Sequence, residues 1–345
     1  MKKQFYIGNV PIGDGSVSIQ SMTNVPFTRF DELKTQALAL EKEGCQIIRA
    51  SVPDRLSAER FADLKKAISV PLVADIHFDY RLALASIEAG ADKIRINPGN
   101  IGAEHIKEVA HAAYKKNIPI RVGVNAGSLE KDLLAKFGHP CAEALALSAY
   151  NNVRLLENCG FEDIVVSMKA SDVRVMVSAY RMFAEKYNGV TEAGTLRTGT
   201  VKSAVGIGAL LLDGIGDTIR VSLTADPVEE VRTAKTLLRS LGIRESGIEV
   251  ISCPTCGRTT VDSVALATRI EDEFSDIETP IKIAVMGCVV NGIGEAGEAD
   301  FGVTGANGKY VLFKDGKTVK KDISENEVFG VIKEQIEKIV KEGKK

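Results

Sequence analysis

Pro71-Leu-Val-Ala-Asp75-Ile-His77-Phe-Asp-Tyr-Arg81-Leu-Ala-Leu-Ala-Ser-Ile-Glu-Ala-Gly90-Ala-Asp-Lys93-Ile-Arg95-Ile-Asn97 reads as a strand, a helix and a second strand. Pro71–His77 and Lys93–Asn97 are short apolar runs, whereas Arg81–Ala89 is amphipathic at helical spacing. Gly90 follows the apparent helix end, where a residue with positive φ closes the last turn. The same unit recurs along the chain. Strands are expected at Val17–Met22, Ile47–Val52, Pro71–His77, Lys93–Asn97, Pro119–Asn125, Ile164–Lys169, Gly189–Glu192 and Thr218–Leu223. Helices are expected at Asp31–Glu43, Ala58–Ile68, Arg81–Ala89, Ala103–Lys116, Ala142–Asn158, Asp172–Lys186, Val201–Leu212 and Pro227–Leu241. Eight strand–helix units in order predict an α/β fold, a closed (β/α)8 TIM barrel, over an open doubly wound sheet.

The strand ends carry the chemistry. Asp75 with His77, Arg95 with Asn97, and Arg220 with Ser222 stand at i and i+2, and so on one face of a strand. Each pair sits at a C-terminal strand end, the face where barrel active sites form. Arg49, Arg121 with Asn125, Lys169 and Glu192 occupy similar positions. Four arginines and a lysine on one mouth favour a small, highly anionic ligand such as a diphosphate, because guanidinium forks match phosphate oxygens. The alternative for any one of them is a solvated loop residue or an ion pair. Glu192 is either a charge-balancing partner or a proton donor. His105, His111 and His139 read as structural, and Cys45, Cys141 and Cys159 as inert thiols.

A polar joint near Gly242–Gly247 leads to a second domain, with the division expected at 1–243 and 244–345. Strands are expected at Ile248–Ser252 and Ile281–Met286, with a helix at Asp262–Phe274 between them. Tyr310–Phe313 and Lys317–Lys320 flank the hairpin signal Asp315-Gly316, and a terminal helix spans Glu325–Lys341 with Ser324 as N-cap. This α+β unit carries Cys253-Pro-Thr-Cys256 and Cys288-Val-Val-Asn291-Gly-Ile-Gly-Glu295. Three thiolates favour zinc or an iron–sulfur cluster. The four histidines all lie at or before position 139. The nearest candidate for a fourth ligand is Glu295, a hard oxygen donor, which argues for a cluster with one exchangeable iron. A redox dithiol and plain core thiols are the competing readings.

Composition narrows the rest. The chain has 345 residues, of which 45% are hydrophobic, enough for a full core. A net charge of −2 gives no reason to expect nucleic acid or membrane as partner. The opening Met1-Lys2-Lys3-Gln4-Phe5 has no apolar h-region, so no signal peptide is expected. Six cysteines without secretion suggest reduced thiols and a cytoplasmic location.

Several motifs together carry a resemblance. Gly189-Val-Thr-Glu-Ala-Gly194, Lys202-Ser203, Asp213-Gly-Ile-Gly-Asp-Thr-Ile-Arg-Val-Ser222, Ala225-Asp-Pro-Val-Glu-Glu230 and the two cysteine segments resemble the bacterial two-domain 4-hydroxy-3-methylbut-2-enyl diphosphate synthases, over nearly the whole chain. The resemblance implies a TIM barrel followed by a [4Fe-4S] domain. It also implies reductive ring opening and dehydration of 2-C-methyl-D-erythritol 2,4-cyclodiphosphate in non-mevalonate isoprenoid biosynthesis. Flavodoxin or ferredoxin would supply electrons, and two chains would form a head-to-tail homodimer. Cys253, Cys256, Cys288 and Glu295 would be the cluster ligands, with Asn291 near the cluster. Arg49, Asp75, His77, Arg95, Asn97, Arg121, Asn125, Lys169, Arg220 and Ser222 would hold substrate, and Glu192 would serve in proton transfer. One departure stands just before Gly189, where the family often has His-Leu and this chain has Tyr187-Asn188. Two other readings remain open on the residues alone. One is a zinc-stabilised diphosphate-binding barrel without redox activity, and the other a hydrolytic barrel using Asp75 and His77 with a metal.

Overall fold

In a computed structural model the chain is described over residues 3–184, 190–292 and 297–343, with only the backbone described at 99, 100, 103, 190–194, 291 and 292. It divides into two compact units, Met1–Leu241 and Gly242–Lys345. Among the described residues no helix is long and apolar enough to cross a membrane.

The first unit opens with a hairpin, β1 (Phe5–Ile7) and β2 (Val10–Ile12), turned at Gly8 with φ +56°. The next eight strands are β3 (Ser18–Met22), β4 (Ile47–Ser51), β5 (Leu72–Asp75), β6 (Lys93–Ile96), β7 (Ile120–Asn125), β8 (Ile164–Lys169), β9 (Val190–Thr195) and β10 (Thr218–Thr224). All pair in parallel, and β10 returns to β3, so the sheet closes as a barrel. Ile7, Val10 and Ile12 pack with Ile47 and Val73, so the hairpin plugs the N-terminal end of the barrel. The rest of the core lies between sheet and helices.

Local chemistry explains the strand-to-helix turns. Asp54, Asp79, Asp172 and Asp226 each follow a barrel strand and accept a backbone N–H in the first turn of the next helix. A carboxylate there satisfies a free donor and suits the helix dipole. These four acids sit on the mouth side of the barrel but are committed to helix caps.

The second unit is a five-stranded mixed sheet, β11 (Ile248–Ser252), β12 (Ile281–Met286), β13 (Phe301–Ala306), β14 (Lys309–Lys314) and β15 (Lys317–Ile323), in that order. Helices Ser263–Glu273 and Glu325–Glu342 pack on its apolar face around Ile270, Ile283, Phe301 and Ile332. Ser324 caps the terminal helix in a reciprocal box with Glu327.

The eight-unit reading holds, with corrections at the edges. β5 stops at Asp75 and β6 at Ile96, so His77 and Asn97 lie just past their strands and not in them. β9 runs on to Thr195, and the following helix, Leu196–Leu212, begins before Val201. Gly189, Tyr187 and Asn188 lie outside the described residues. The hairpin β1–β2, the helix Lys131–Phe137 and the strand β13 add elements that the pattern reading did not contain.

Candidate active site and metal centre

The barrel mouth is organised around one buried carboxylate. The parallel register puts Asp75 beside Arg95 and Arg95 beside Arg121, so all three project from one face of neighbouring strands. Asp75 Oδ1 accepts from Arg95 Nη1 at 3.2 Å, and its Oδ2 lies 3.9 Å from Arg49 Nε and 3.5 Å from His77 Nε2. Arg95 Nη1 is also 3.0 Å from His77 Nδ1. His77 therefore reaches Asp75 and Arg95 from beyond the strand end, with about half of its side chain in solvent.

Charge is out of balance there. Burial alone would raise the Asp75 carboxyl, but the Arg49 charge, the His77 hydrogen bond and the Arg95 charge together hold it well below the usual carboxylate range. Burial pushes Arg49 well down, opposed by Asp75 and reinforced by Arg220, Arg121 and Arg95. Burial, then the Arg95 charge, takes Arg121 down to about 10. One layer deeper, the fully buried Lys93 donates to Gln20 Oε1 at 3.0 Å, and it too is pushed down by burial, then by Arg121 and Arg49. Crowded cations of this kind are relieved by a bound anion.

Two donors wait in this layer. Arg121 Nε donates to Ser167 Oγ at 2.9 Å, but its Nη1 is buried with no partner among the described residues. Arg220 Nε is in the same position. Arg49 sets its Nη2 and Nε against Met22 Sδ at 3.0 and 3.2 Å, a weak acceptor that a better one can displace. A buried donor left unmade is expensive in a finished protein core and expected in a site awaiting its ligand.

The other candidates fall differently. Asn97 is buried at the start of the short helix Pro98–Ile101. Lys169, at the end of β8, and Ser222, inside β10 two residues before its end, are half-buried, and Lys169 pairs in register with Asn125. Asn125 is exposed, and its Oδ1 accepts from Gly127 N at 3.1 Å, so its side chain caps its own turn. The backbone of Glu192 pairs with Val221, and its side chain lies outside the described residues.

Pattern reading missed Gly123. A Cβ there would lie 2.5 Å from Arg95 Nε and 2.7 Å from Nη2, so the guanidinium lies across bare backbone. The available signal was a glycine inside an apolar strand, which marks close approach. Gln20, Lys93, Met22 and Ser167 were also missed, since nothing in a lone strand residue shows what it faces across a barrel.

In the second unit Cys253, Cys256 and Cys288 are free thiols at the C-terminal ends of β11 and β12. The two loops are tied together. Gly287 N donates to Cys253 Sγ at 3.3 Å, and Thr260 N donates to Gly287 O at 3.0 Å. Cys256 N donates to Thr259 Oγ1 at 3.2 Å, and Thr259 Cγ2 would come within 2.8 Å of a Cβ on Gly287. Cys253 is half-buried against Met286 and Phe313, and Cys256 is exposed. Among the described residues no three His, Cys, Asp or Glu side chains close up in the manner of a single-ion site. Ligands of a cluster sit on its separate corners and so stand further apart than ligands of one ion. A backbone N–H aimed at a cysteine sulfur is the hydrogen bond by which proteins tune such clusters. Three thiols on two tied loops, one of them accepting a backbone N–H, are compatible with an iron–sulfur centre. Asn291 lies on the short helix Val289–Gly292 with its side chain outside the description, and Glu295 lies outside the described residues.

Comparison with known proteins agrees on both units. Residues 2–235 match the GcpE TIM-barrel domain and residues 249–338 the GcpE protein C-terminal domain. The 4-hydroxy-3-methylbut-2-en-1-yl diphosphate synthase (flavodoxin) of Caldanaerobacter subterraneus is 54% identical over 99% of this chain and 98% of its own. That of Fusobacterium nucleatum is 52% identical over 96% and 95%. Among solved structures, dihydropteroate synthase from Stenotrophomonas maltophilia superposes with a TM-score of 0.52 at 13% identity, over 70% of this chain and 100% of its own, a likeness of fold alone. The chain belongs to the 4-hydroxy-3-methylbut-2-en-1-yl diphosphate synthase (GcpE) family.

Proposed function

We infer that the chain reduces 2-C-methyl-D-erythritol 2,4-cyclodiphosphate to 4-hydroxy-3-methylbut-2-enyl diphosphate in isoprenoid biosynthesis. Two electrons and a proton are consumed, one ring carbon–oxygen bond opens and one hydroxyl leaves as water. The observation that carries this reading is the cationic layer around Asp75, with the buried Arg121 Nη1 and Arg220 Nε left without partners among the described residues. Its close relatives bear the flavodoxin-dependent name, which points to flavodoxin as donor and a small-molecule substrate.

The barrel residues bind and orient. Arg49, Arg95 and Arg121 donate to the diphosphate oxygens, which replace Met22 Sδ as acceptor from Arg49 and accept from the Arg121 Nη1 left open among the described residues. Asp75 keeps the guanidinium groups apart and, with His77 and Asn97, faces the polyol hydroxyls. Lys169, Asn125, Arg220 and Ser222 complete the rim, Asn125 after leaving its own turn. Glu192 delivers the proton to the departing hydroxyl. Fixed cations around a diphosphate need no rearrangement as charge moves during the reaction. Cys253, Cys256, Cys288 and Glu295 would hold a [4Fe-4S] cluster, with Asn291 near it. When bound, that cluster supplies single electrons and a Lewis-acid iron whose carboxylate ligand is replaceable. The active form is a head-to-tail homodimer in the cytoplasm, in which one subunit's cluster serves the other's barrel.

Anaerobic reconstitution of the full chain tests this. Iron and sulfide near four per chain, with product formed from the cyclodiphosphate and reduced flavodoxin, are expected. One zinc without sulfide and no turnover contradicts the reading. Mixing Cys288→Ser subunits with Glu192→Gln subunits tests the sharing of sites: activity returns if sites are shared, and stays absent if each subunit works alone.

A further inference from the structure

The ladder that closes the barrel is short. β10 pairs with β3 at Thr218↔Ser18 and Ile219↔Ile19, whereas on its other edge it pairs with β9 over six positions. Beyond Ile19 and Ile219 no further positions of the two closing strands pair among the described residues. A side chain from a third element joins them there. Glu230, in the first turn of the helix Pro227–Ser240, is 4% exposed. Its Oε2 accepts from Ser21 Oγ on β3 at 2.8 Å, and its Oε1 from Leu223 N on β10 at 3.0 Å. The same Oε1 lies 3.6 Å from Arg220 Nη2.

Strand alternation makes this contact informative. Thr218 pairs with Ser18, so Arg220 shares a face with Ser18, while Ser21 belongs to the opposite face. Glu230 touches both faces, and so occupies the gap in the seam. A cavity of about 450 Å³ opens at the same place, lined by Thr23, Ser51, Arg220, Leu223 and Glu230 among others. A buried carboxylate needs a cation, and a long guanidinium side chain needs an anchor if it is to meet its ligand already oriented. Here each supplies what the other lacks, while Arg220 Nε has no partner among the described residues.

We propose that Glu230 is a positioning residue for cyclodiphosphate binding: it clasps the closing seam between β3 and β10 and fixes the guanidinium of Arg220 for the substrate. This rests on the assignment of Arg220 to the substrate in the functional reading above. The experiment is calorimetric titration of 2-C-methyl-D-erythritol 2,4-cyclodiphosphate into the full chain. The proteins are wild type, Glu230→Gln, Arg220→Gln, the double variant and Ser21→Ala, each checked by thermal denaturation. Glu230→Gln is expected to weaken binding about tenfold, and to weaken it no further once Arg220 is glutamine. Ser21→Ala, which removes one donor from the carboxylate, is expected to weaken binding about threefold. Unchanged affinity in Glu230→Gln, or an undiminished loss in the Arg220→Gln background, overturns the role of Glu230. If Glu230→Gln does not fold, Ser21→Ala decides, and wild-type affinity in that variant overturns it. A wild-type chain that fails to bind the cyclodiphosphate overturns the functional reading instead.

Discussion

The mouth of the barrel and the cysteine loops of the second unit are built on opposite plans. At the mouth the binding groups are already buried and held: Asp75 is fixed by Arg95, Arg121 by Ser167, and Arg95 lies along bare Gly123. The strain there is electrostatic, with Arg49, Arg95 and Arg121 crowded around Asp75 and Arg220 set beside Glu230. In the second unit the backbone is knitted through Gly287, Thr259 and Thr260, while the sulfurs stand open to solvent or partly so. Among its described residues the mouth is held in place, and its open donors suit an anion. The described loops fix the backbone and leave their thiols accessible. One region thus stores its specificity in charge, the other in backbone.

This contrast is testable from its strongest consequence downward. Cys288→Ser removes a proposed cluster ligand, so turnover is expected to fall to background and iron content to drop, while the thermal unfolding of the barrel is unchanged. Arg121→Gln acts on the other side. Losing a buried charge partner costs about 2–5 kcal/mol, thirtyfold or more in substrate affinity, with iron and sulfide content retained. Gly123→Ala pushes Arg95 off its bed, and a misplacement of that order costs about ten- to a hundredfold in kcat/KM. Its partner variant, Gly305→Ala, collides with Gly287 O at 2.5 Å and Val261, and should disturb cluster content and leave substrate affinity alone.

The smallest effect is in pH dependence. Lys93 has its folded-state value below the ordinary 10.5, so the unfolded chain binds the extra proton. The stability of the ligand-free barrel then rises as pH climbs toward 10.5. Lys93→Met flattens that slope in a thermal-denaturation series, and a slope that stays the same removes Lys93 from the account. Asp75 works in the other sense. Its folded value is depressed, so it stabilises above pH 3.8 and that contribution is lost as pH falls through its folded value.

The sequence was legible where pattern and chemistry coincide. The eight strand–helix units stood out because apolar runs are punctuated by capping aspartates and by glycines such as Gly90 at φ +92°. The strand-end cations stood out for the same reason, since a strand fixes the direction of its alternate residues. What stayed hidden depends on partners distant in sequence. β13 was missed because Gly302 and Gly305 look like strand breakers. In the folded sheet a Cβ on Gly302 would meet Phe313 and Ala284 within 2.7 Å, so those glycines are demanded by packing. The hairpin β1–β2 is too short to show a period, and its value lies in plugging the barrel below Val73. Gly123 and Glu230 act on arginines 28 and 10 positions away, and no local pattern announces such contacts.

The central claim is that the barrel mouth anchors the substrate independently of the thiolates. Affinity of the full-length Cys288→Ser and Arg121→Gln chains for the cyclodiphosphate, measured side by side by calorimetry, tests it most directly. Cys288→Ser should bind within about tenfold of wild type, while Arg121→Gln loses thirtyfold or more. Equal losses in the two variants, or wild-type affinity in Arg121→Gln, would contradict it.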